Sequence, residues 1–233
     1  MEIGIRTVDI WDDQWKNIFD HYQQDIRHAY YIRAILNTNE CNLLEIAAGS
    51  FRDVGALNNW GISCVGVDYS EESVNRAKNY FTLYEDKIIR MDAFSLKFKE
   101  HQFDMSYHNG FFTYFSDDEI INLLKEQARV TKFRIVATVH NKHNLDFVNY
   151  FDRLSKDDPL YKLRFFEIDE ISSLMSSVCR EVKIIPVGKG KRYYEDDLIN
   201  IGLGDPNYLK KSFDYHKLDL LNSSERLMCI GTL

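Results

Sequence analysis

The sequence predicts a doubly wound α/β fold. Short β-rich apolar runs alternate with helical patterns through most of the chain, and the best-marked helices open directly after strand ends. Alternation of this kind makes a parallel sheet flanked by helices, because parallel strands need a crossover between them. Strands are expected near residues 42–47, 62–67, 87–91, 103–107, 134–139, 182–187 and 227–231.

The helix after the fourth strand has the clearest start. Ser116-Asp117-Asp118-Glu119 is a capping box, and Ile120, Leu123, Leu124 and Ala128 follow at helical spacing. A second helix opens at Ser70, where Glu71 and Glu72 put negative charge in the first turn and complement the macrodipole. Val74, Ala77 and Phe81 form its apolar face. A third helical segment begins near Phe51, after the small-residue turn Ala47-Ala48-Gly49-Ser50 that ends the first strand.

Two segments lie outside this alternation. Residues 11–36 carry more tryptophan and tyrosine than one packing face needs, so residues 8–38 are expected to form a helical cap on the sheet. Residues 188–224 make a long, polar, tyrosine-containing connection where a tight hairpin would suffice, as lids and oligomer contacts do. The expectation is one domain over residues 1–233.

Composition narrows the function classes. With 45% apolar and 28% charged residues, no long apolar run and no basic-apolar leader at Met1-Glu2-Ile3-Gly4, the expected setting is the cytoplasm, away from membranes. A net charge of −7 opposes nonspecific binding to nucleic acid, which depends on neutralising phosphates with Lys and Arg. Lys189-Gly190-Lys191-Arg192 is the one basic run of note. Cys41, Cys64, Cys179 and Cys229 are widely spaced without a Cys-x-x-Cys pair, which suggests neither a zinc site nor a disulfide framework.

A small-residue turn between a buried strand and a helix lets a ligand approach backbone N–H groups at the carboxyl end of the sheet. Dinucleotides and S-adenosylmethionine both use such turns. The dinucleotide pattern Gly-x-Gly-x-x-Gly/Ala falls here on Ala47, Gly49 and Arg52, and a long charged side chain at the third position opposes it. Nineteen residues beyond Gly49, Asp68 ends the second strand, where a carboxylate can accept hydrogen bonds from a ribose diol.

The segment Leu43-Leu44-Glu45-Ile46-Ala47-Ala48-Gly49-Ser50-Phe51 resembles motif I of class I S-adenosylmethionine-dependent methyltransferases, with Glu45 at the family's acidic position. Two positions depart from it. The family commonly has glycine at Ala47 and often at Phe51, and the phenylalanine is expected to bear on the methionine end of the pocket. Arg90-Met91-Asp92-Ala93 resembles the family's adenine segment, and residues 103–115 its fourth strand and following loop. The resemblance covers residues 42–187, is closest to the small-molecule branch, and lacks the acceptor motif of amino-methylating DNA enzymes.

That resemblance implies a Rossmann-like seven-stranded sheet, mostly parallel, with an antiparallel last strand. It implies S-adenosyl-L-methionine as cofactor and S-adenosyl-L-homocysteine as product. Glu45, Ala47, Gly49, Ser50, Phe51, Asp68, Tyr69, Asp92, Ala93 and the backbone of His108 would hold the cofactor. The acceptor would be a small molecule methylated on oxygen or nitrogen, in a setting such as natural-product or surface-glycan biosynthesis. The protein would act as a monomer or homodimer.

Methyl transfer from a sulfonium is an in-line displacement, so a base is needed only where the acceptor must lose a proton. His140 and His108, at the ends of the fifth and fourth strands, are the catalytic candidates. Tyr22, Tyr30, Tyr114, His143 and Tyr193, with Tyr194, are candidates for the acceptor pocket. His140, His143 and Asp146 lack a third strong ligand, so no metal site is expected. The competing readings are a non-catalytic S-adenosylmethionine-binding protein and a nicotinamide-dependent oxidoreductase.

Overall fold

A computed structural model describes residues 8–188, 192–202, 204–216 and 220–233. Its centre is one sheet of seven strands: β1 (Asn42–Ile46), β2 (Ser63–Asp68), β3 (Ile88–Arg90), β4 (Phe103–Asn109), β5 (Thr131–His140), β6 (Glu181–Val187) and β7 (Arg226–Thr232). The order is β3-β2-β1-β4-β5-β7-β6. The β1–β2, β2–β3, β1–β4 and β4–β5 pairs are parallel, whereas β7 runs antiparallel to both β5 and β6. The expected fold class is therefore the observed one.

The chain winds outward from β1 to β3 and then crosses back to lay β4 on the other side of β1. Such a reversal opens a crevice beyond the carboxyl ends of the two central strands, the usual place for a ligand in this architecture. Most of the candidate site residues lie around the tips of β1 to β5.

Helices cover both faces. One face of the sheet sets Leu43, Tyr107, Val136 and Met228 against α1 (Val8–Tyr22), α2 (Arg27–Ile35), α3 (Arg52–Asn59) and α4 (Glu71–Tyr80). The other sets Ile135, Ala137, Leu227 and Cys229 against α5 (Asp117–Val130) and, after α6 (Leu145–Leu154), α7 (Ile168–Met175). Apolar residues alternate between the faces along each strand, as period-two side-chain geometry requires.

Local starts follow the sequence signals. Both halves of the Ser116–Glu119 capping box form, and the Ser70 side chain accepts the N–H of Ser73 at the head of α4. The fifth strand begins at Thr131, three residues earlier than expected, because α5 passes into β5 without a turn. Thr131 makes that join: its hydroxyl donates to the Gln127 carbonyl and meets the Ser106 hydroxyl. The long connection before β7 is largely helical, with α8 (Arg192–Ile201) and α9 (Pro206–His216). Leu209 and Phe213 carry it into the core beside α2. Lys189, Gly190 and Lys191 of the basic run lie outside the described residues.

Candidate active site

The turn after β1 has an unusual backbone. Ala47, Gly49 and Phe51 all have positive φ, at 53°, 56° and 55°. These are the motif positions where glycine is common in the family, so the chain adopts a glycine backbone with alanine and phenylalanine at two of three places. A left-handed residue with a side chain costs on the order of 1–2 kcal/mol. Phe51 recovers part of it by burial: its ring is fully enclosed in the core, over Gly66 of β2, where a β-carbon would come within 2.7 Å of it. The ring thus points away from the crevice, which corrects the expectation that it shapes the pocket. Its N–H is donated to the Ala48 carbonyl.

Asp68 ends β2 beside this turn. Its Oδ2 accepts the Gly49 N–H at 2.8 Å and its Oδ1 the Ser70 N–H at 2.9 Å. Burial pushes its pKa up to about 6 against the pull of these N–H groups. Farther along the rim, Tyr69 is half exposed, and exposed Asp92 accepts the Phe94 N–H at 2.9 Å in a tight turn beside partly buried Ala93. Ser50 is buried, and its carbonyl accepts from Gln23 Nε2.

Helix α1 forms the roof. Its Asp12 accepts the Ser70 hydroxyl at 2.5 Å and the Glu72 N–H at 3.2 Å. Trp15 lies over Gly49, where any β-carbon would collide with the indole. Arg76 of α4 donates to the Trp15 and Lys16 carbonyls, and Arg52 donates to the Tyr22 carbonyl while lying 5.3 Å from the Tyr22 ring. Trp11 meets the Tyr114 ring edge-on at 5.6 Å. No sequence signal pairs α1 with a turn some 34 residues downstream, so Asp12 and Trp15 were absent from the expected site.

A buried polar layer runs under the crevice floor. Glu45, at the end of β1, is pushed well above the usual carboxylate range by burial and by the nearby Asp53 carboxylate, and its Oε2 has no hydrogen-bond partner. His28 of α2 bridges two elements, with Nδ1 2.5 Å from Asp53 Oδ2 and Nε2 3.0 Å from Thr138 Oγ1. Asn109 Oδ1, at the end of β4, is also buried without a partner.

The two candidate bases sit in different surroundings. His108 is enclosed with its ring 4.1 Å from that of Phe112, neither ring nitrogen has a partner, and burial pushes its pKa down to about 3. His140 is wrapped by Phe147, Phe151 and Phe165. Its Nδ1 is 2.9 Å from Thr113 Oγ1 and 3.2 Å from Arg226 Nη1. Arg226 can only donate, so Nδ1 accepts and the ring proton resides on Nε2. Burial, then the Arg226 charge, holds His140 well below its usual pKa.

The expected pocket residues divide. Tyr22 and Tyr114 lie at the roof and the post-β4 loop, Tyr114 donating to the Leu160 carbonyl at 2.7 Å. Tyr30 does not belong there: it packs on Trp60 at the far end of α3, with ring centroids 4.6 Å apart. Tyr193 is 83% exposed on α8 and closes over nothing among the described residues. Tyr194 is also exposed. His143 lines a separate open hollow of about 450 Å³ with Lys142, Leu145, Asp146, Glu167 and Asn222.

The crevice offers a fixed carboxylate at the β2 tip and buried, unpartnered acceptors at the ends of β1 and β4. That set suits a ligand bringing hydroxyl and ammonium donors, as S-adenosylmethionine does.

Comparison with known proteins agrees. Residues 43–133 match the family profile for a methyltransferase domain. Among solved structures, one from Archaeoglobus fulgidus, a SAM-dependent methyltransferase, superposes with a TM-score of 0.64 at 14% identity, covering 97% of this chain and 99% of that one. A SAM-dependent methyltransferase from Thermotoga maritima, described as a possible histamine N-methyltransferase, gives 0.62 at 16% identity, covering 94% and 95%. Geranyl diphosphate C-methyltransferase from Streptomyces coelicolor, solved with Mg²⁺, geranyl diphosphate and S-adenosylhomocysteine, gives 0.57 at 14% identity, covering 88% and 77%. No curated protein sequence matches. Residues 43–133 are thus similar to a methyltransferase domain, and the strand order and the superposed structures show that the whole chain shares the fold of these enzymes.

Proposed function

We propose that the chain, as a single-domain enzyme acting as a monomer or homodimer, methylates an oxygen or nitrogen of a small molecule. The observation that carries the donor half is Asp68, whose carboxylate is locked at the β2 tip by the Gly49 and Ser70 N–H groups. Each oxygen keeps a free lone pair for a ribose hydroxyl. Tyr69, Asp92 and Ala93 line the adjoining rim toward the adenine, and Glu45 and Asn109 offer acceptors to the amino-acid end.

A small acceptor follows from the roof. Trp15 covers the turn after β1 and Trp11 packs on Tyr114, which favours a compact acceptor, and a net charge of −7 works against nucleic acid. Among the described residues no helix is long and apolar enough to cross a membrane. The structural neighbours are named for acceptors as different as histamine and geranyl diphosphate, so the choice of acceptor rests on this chain's own residues.

S-adenosylmethionine supplies a sulfonium-bound methyl group with its own leaving group. The protein's part is to hold the acceptor in line, exclude water and orient polar atoms. His140, neutral and with its proton on Nε2, orients the acceptor as a donor. His108, neutral and walled in by Phe111 and Phe112, contributes its backbone and a rigid wall.

Calorimetry with S-adenosylmethionine, S-adenosylhomocysteine and NAD tests the donor half. The two adenosyl ligands should bind and NAD should not, and Asp68→Ala should weaken both at least tenfold. NAD binding alone would overturn the reading, and unchanged affinity in Asp68→Ala would remove Asp68 from the site. Turnover against a panel of small hydroxyl and amine acceptors tests the rest.

A further inference from the structure

Arg226 opens β7 directly opposite His140 of β5 and Val187 of β6, which places it on the rim of the crevice. Its guanidinium lies against the backbone just after β4. A β-carbon on Gly110, at φ 76°, would come within 2.9 Å of Nη1, so the guanidinium takes the space a side chain there would fill.

This cation makes no ion-pair contact among the described residues, and the Glu225 charge acts on it only at longer range. Among the described residues, no carboxylate lies within 4.0 Å of it. The adjacent Glu225 turns away, its carboxylate packed where a Gly188 side chain would be. The Nη1 contact with His140 Nδ1 is its one hydrogen bond among the described residues. A guanidinium has five N–H donors, and a partly buried cation with most of them unused is less favourable than a paired one. The second cation nearby, Arg52, adds repulsion, and burial holds the Arg226 guanidinium below its usual range. Other partly buried arginines have partners: Arg134 pairs with Glu40, Arg27 with Asp196, and Arg33 donates to the Gly204 carbonyl over the Trp60 ring. Arg226 has neither a carboxylate nor a carbonyl partner among the described residues, and it lies on the rim of the crevice.

We propose that Arg226 determines acceptor specificity, and that the acceptor carries an anionic oxygen group, a carboxylate or a phosphate, that pairs with its guanidinium. The inference rests on the methyl-transfer reading for what the bound molecule becomes. The aromatic surround of Trp11, Tyr22 and Tyr114 fits an apolar or aromatic body behind that group. Because His140 is neutral, with its proton on Nε2, the pair presents one positive charge.

The test uses the S-adenosylhomocysteine-loaded full chain and four calorimetric probes: benzoate, phenyl phosphate, benzamide and benzylamine. One of the anions should bind at least tenfold more tightly than benzamide and benzylamine, and the tighter anion identifies the group. Arg226→Gln should abolish that preference while binding S-adenosylhomocysteine as the parent chain does, and Arg226→Lys should retain part of it. Absence of any anion preference in the parent, or a preference that survives Arg226→Gln, overturns the proposal. The same titrations on the unloaded chain separate two failures. Loss of S-adenosylhomocysteine binding strikes the methyl-transfer reading, while an anion preference abolished by Arg226→Gln still supports Arg226.

Discussion

The indole of Trp15 lies so close over Gly49 that a β-carbon on the glycine would come within 2.5 Å of Trp15 Cη2. Gly49 also sits at φ 56°. Gly49→Ala therefore meets two penalties at once, left-handed strain of about 1–2 kcal/mol and overpacking of about 1–3 kcal/mol. The expected outcome is a drop in thermal stability and a loss of S-adenosylhomocysteine binding of at least tenfold. Trp15→Ala on the Gly49→Ala background should restore stability by removing the collision. Equal stability of the single and double variants would show that the indole is not held there.

The Asp68 carboxyl predicts a pH dependence with a defined sign. Its pKa rises from 3.8 to about 6, chiefly through burial. The folded state thus holds the proton more tightly than the unfolded chain. The stabilisation from that proton is complete below pH 3.8 and is lost as pH rises through about 6, a swing on the order of 3 kcal/mol. Asp68→Asn should gain stability relative to the parent between pH 4 and pH 7 in urea unfolding. Cofactor affinity runs the other way, since the ribose needs an ionised acceptor. S-adenosylhomocysteine binding should weaken below pH 6 in the parent and be weak and flat in Asp68→Asn.

His28 and Asp53 form a buried pair that a ligand does not explain. The pair is 4% and 2% exposed, and Asp53 Oδ1 has no hydrogen-bond partner of its own. Replacing His28 by alanine leaves the Asp53 carboxylate in the core with only the distant Arg52 Nε, 3.9 Å from Oδ1, as a charge partner, and breaking such a buried pair costs about 3–5 kcal/mol. Urea unfolding should report that loss, and Asp53→Asn combined with His28→Ala should recover much of it. Additive losses in the double variant would mean that the two residues act independently.

Much of this arrangement was legible in the sequence where a local rule governs it. The Ser116–Glu119 box and the Ser70 cap announce helices because a few neighbouring side chains satisfy their first N–H groups. The strand ends at Ile46 and Asp68 follow from apolar runs closed by small or acidic residues. Helices α8 and α9 escaped, since their buried apolar contacts come down to Leu198, Ile199, Leu209 and Phe213 in an otherwise polar stretch. Arg226 escaped for a different reason. Its neighbourhood is fixed by the β5–β7 register and by Gly110, whose partners lie 86 and more than 100 residues away. Phe51 read as a pocket residue because motif position says nothing of side-chain direction; the left-handed backbone turns its ring inward over Gly66.

His140 separates two modes of acceptor activation. A base with an ordinary histidine pKa would give kcat/KM an ascending limb near pH 6.5, and its loss would cost about 10²–10⁴-fold. Here Nδ1 accepts from Thr113 and Arg226, Nε2 bears the proton, and burial with the Arg226 charge keeps the ring neutral far into the acid range. The kcat/KM profile should therefore show no limb assignable to His140 between pH 6 and 8. His140→Gln, which keeps an N–H donor in a similar place, should lose no more than about tenfold, the scale of one neutral hydrogen bond. His140→Ala should raise KM more than it lowers kcat, since the donor positions the acceptor in ground and transition states alike. A limb near pH 6.5 that disappears in both variants, with a fall confined to kcat, would make His140 the base.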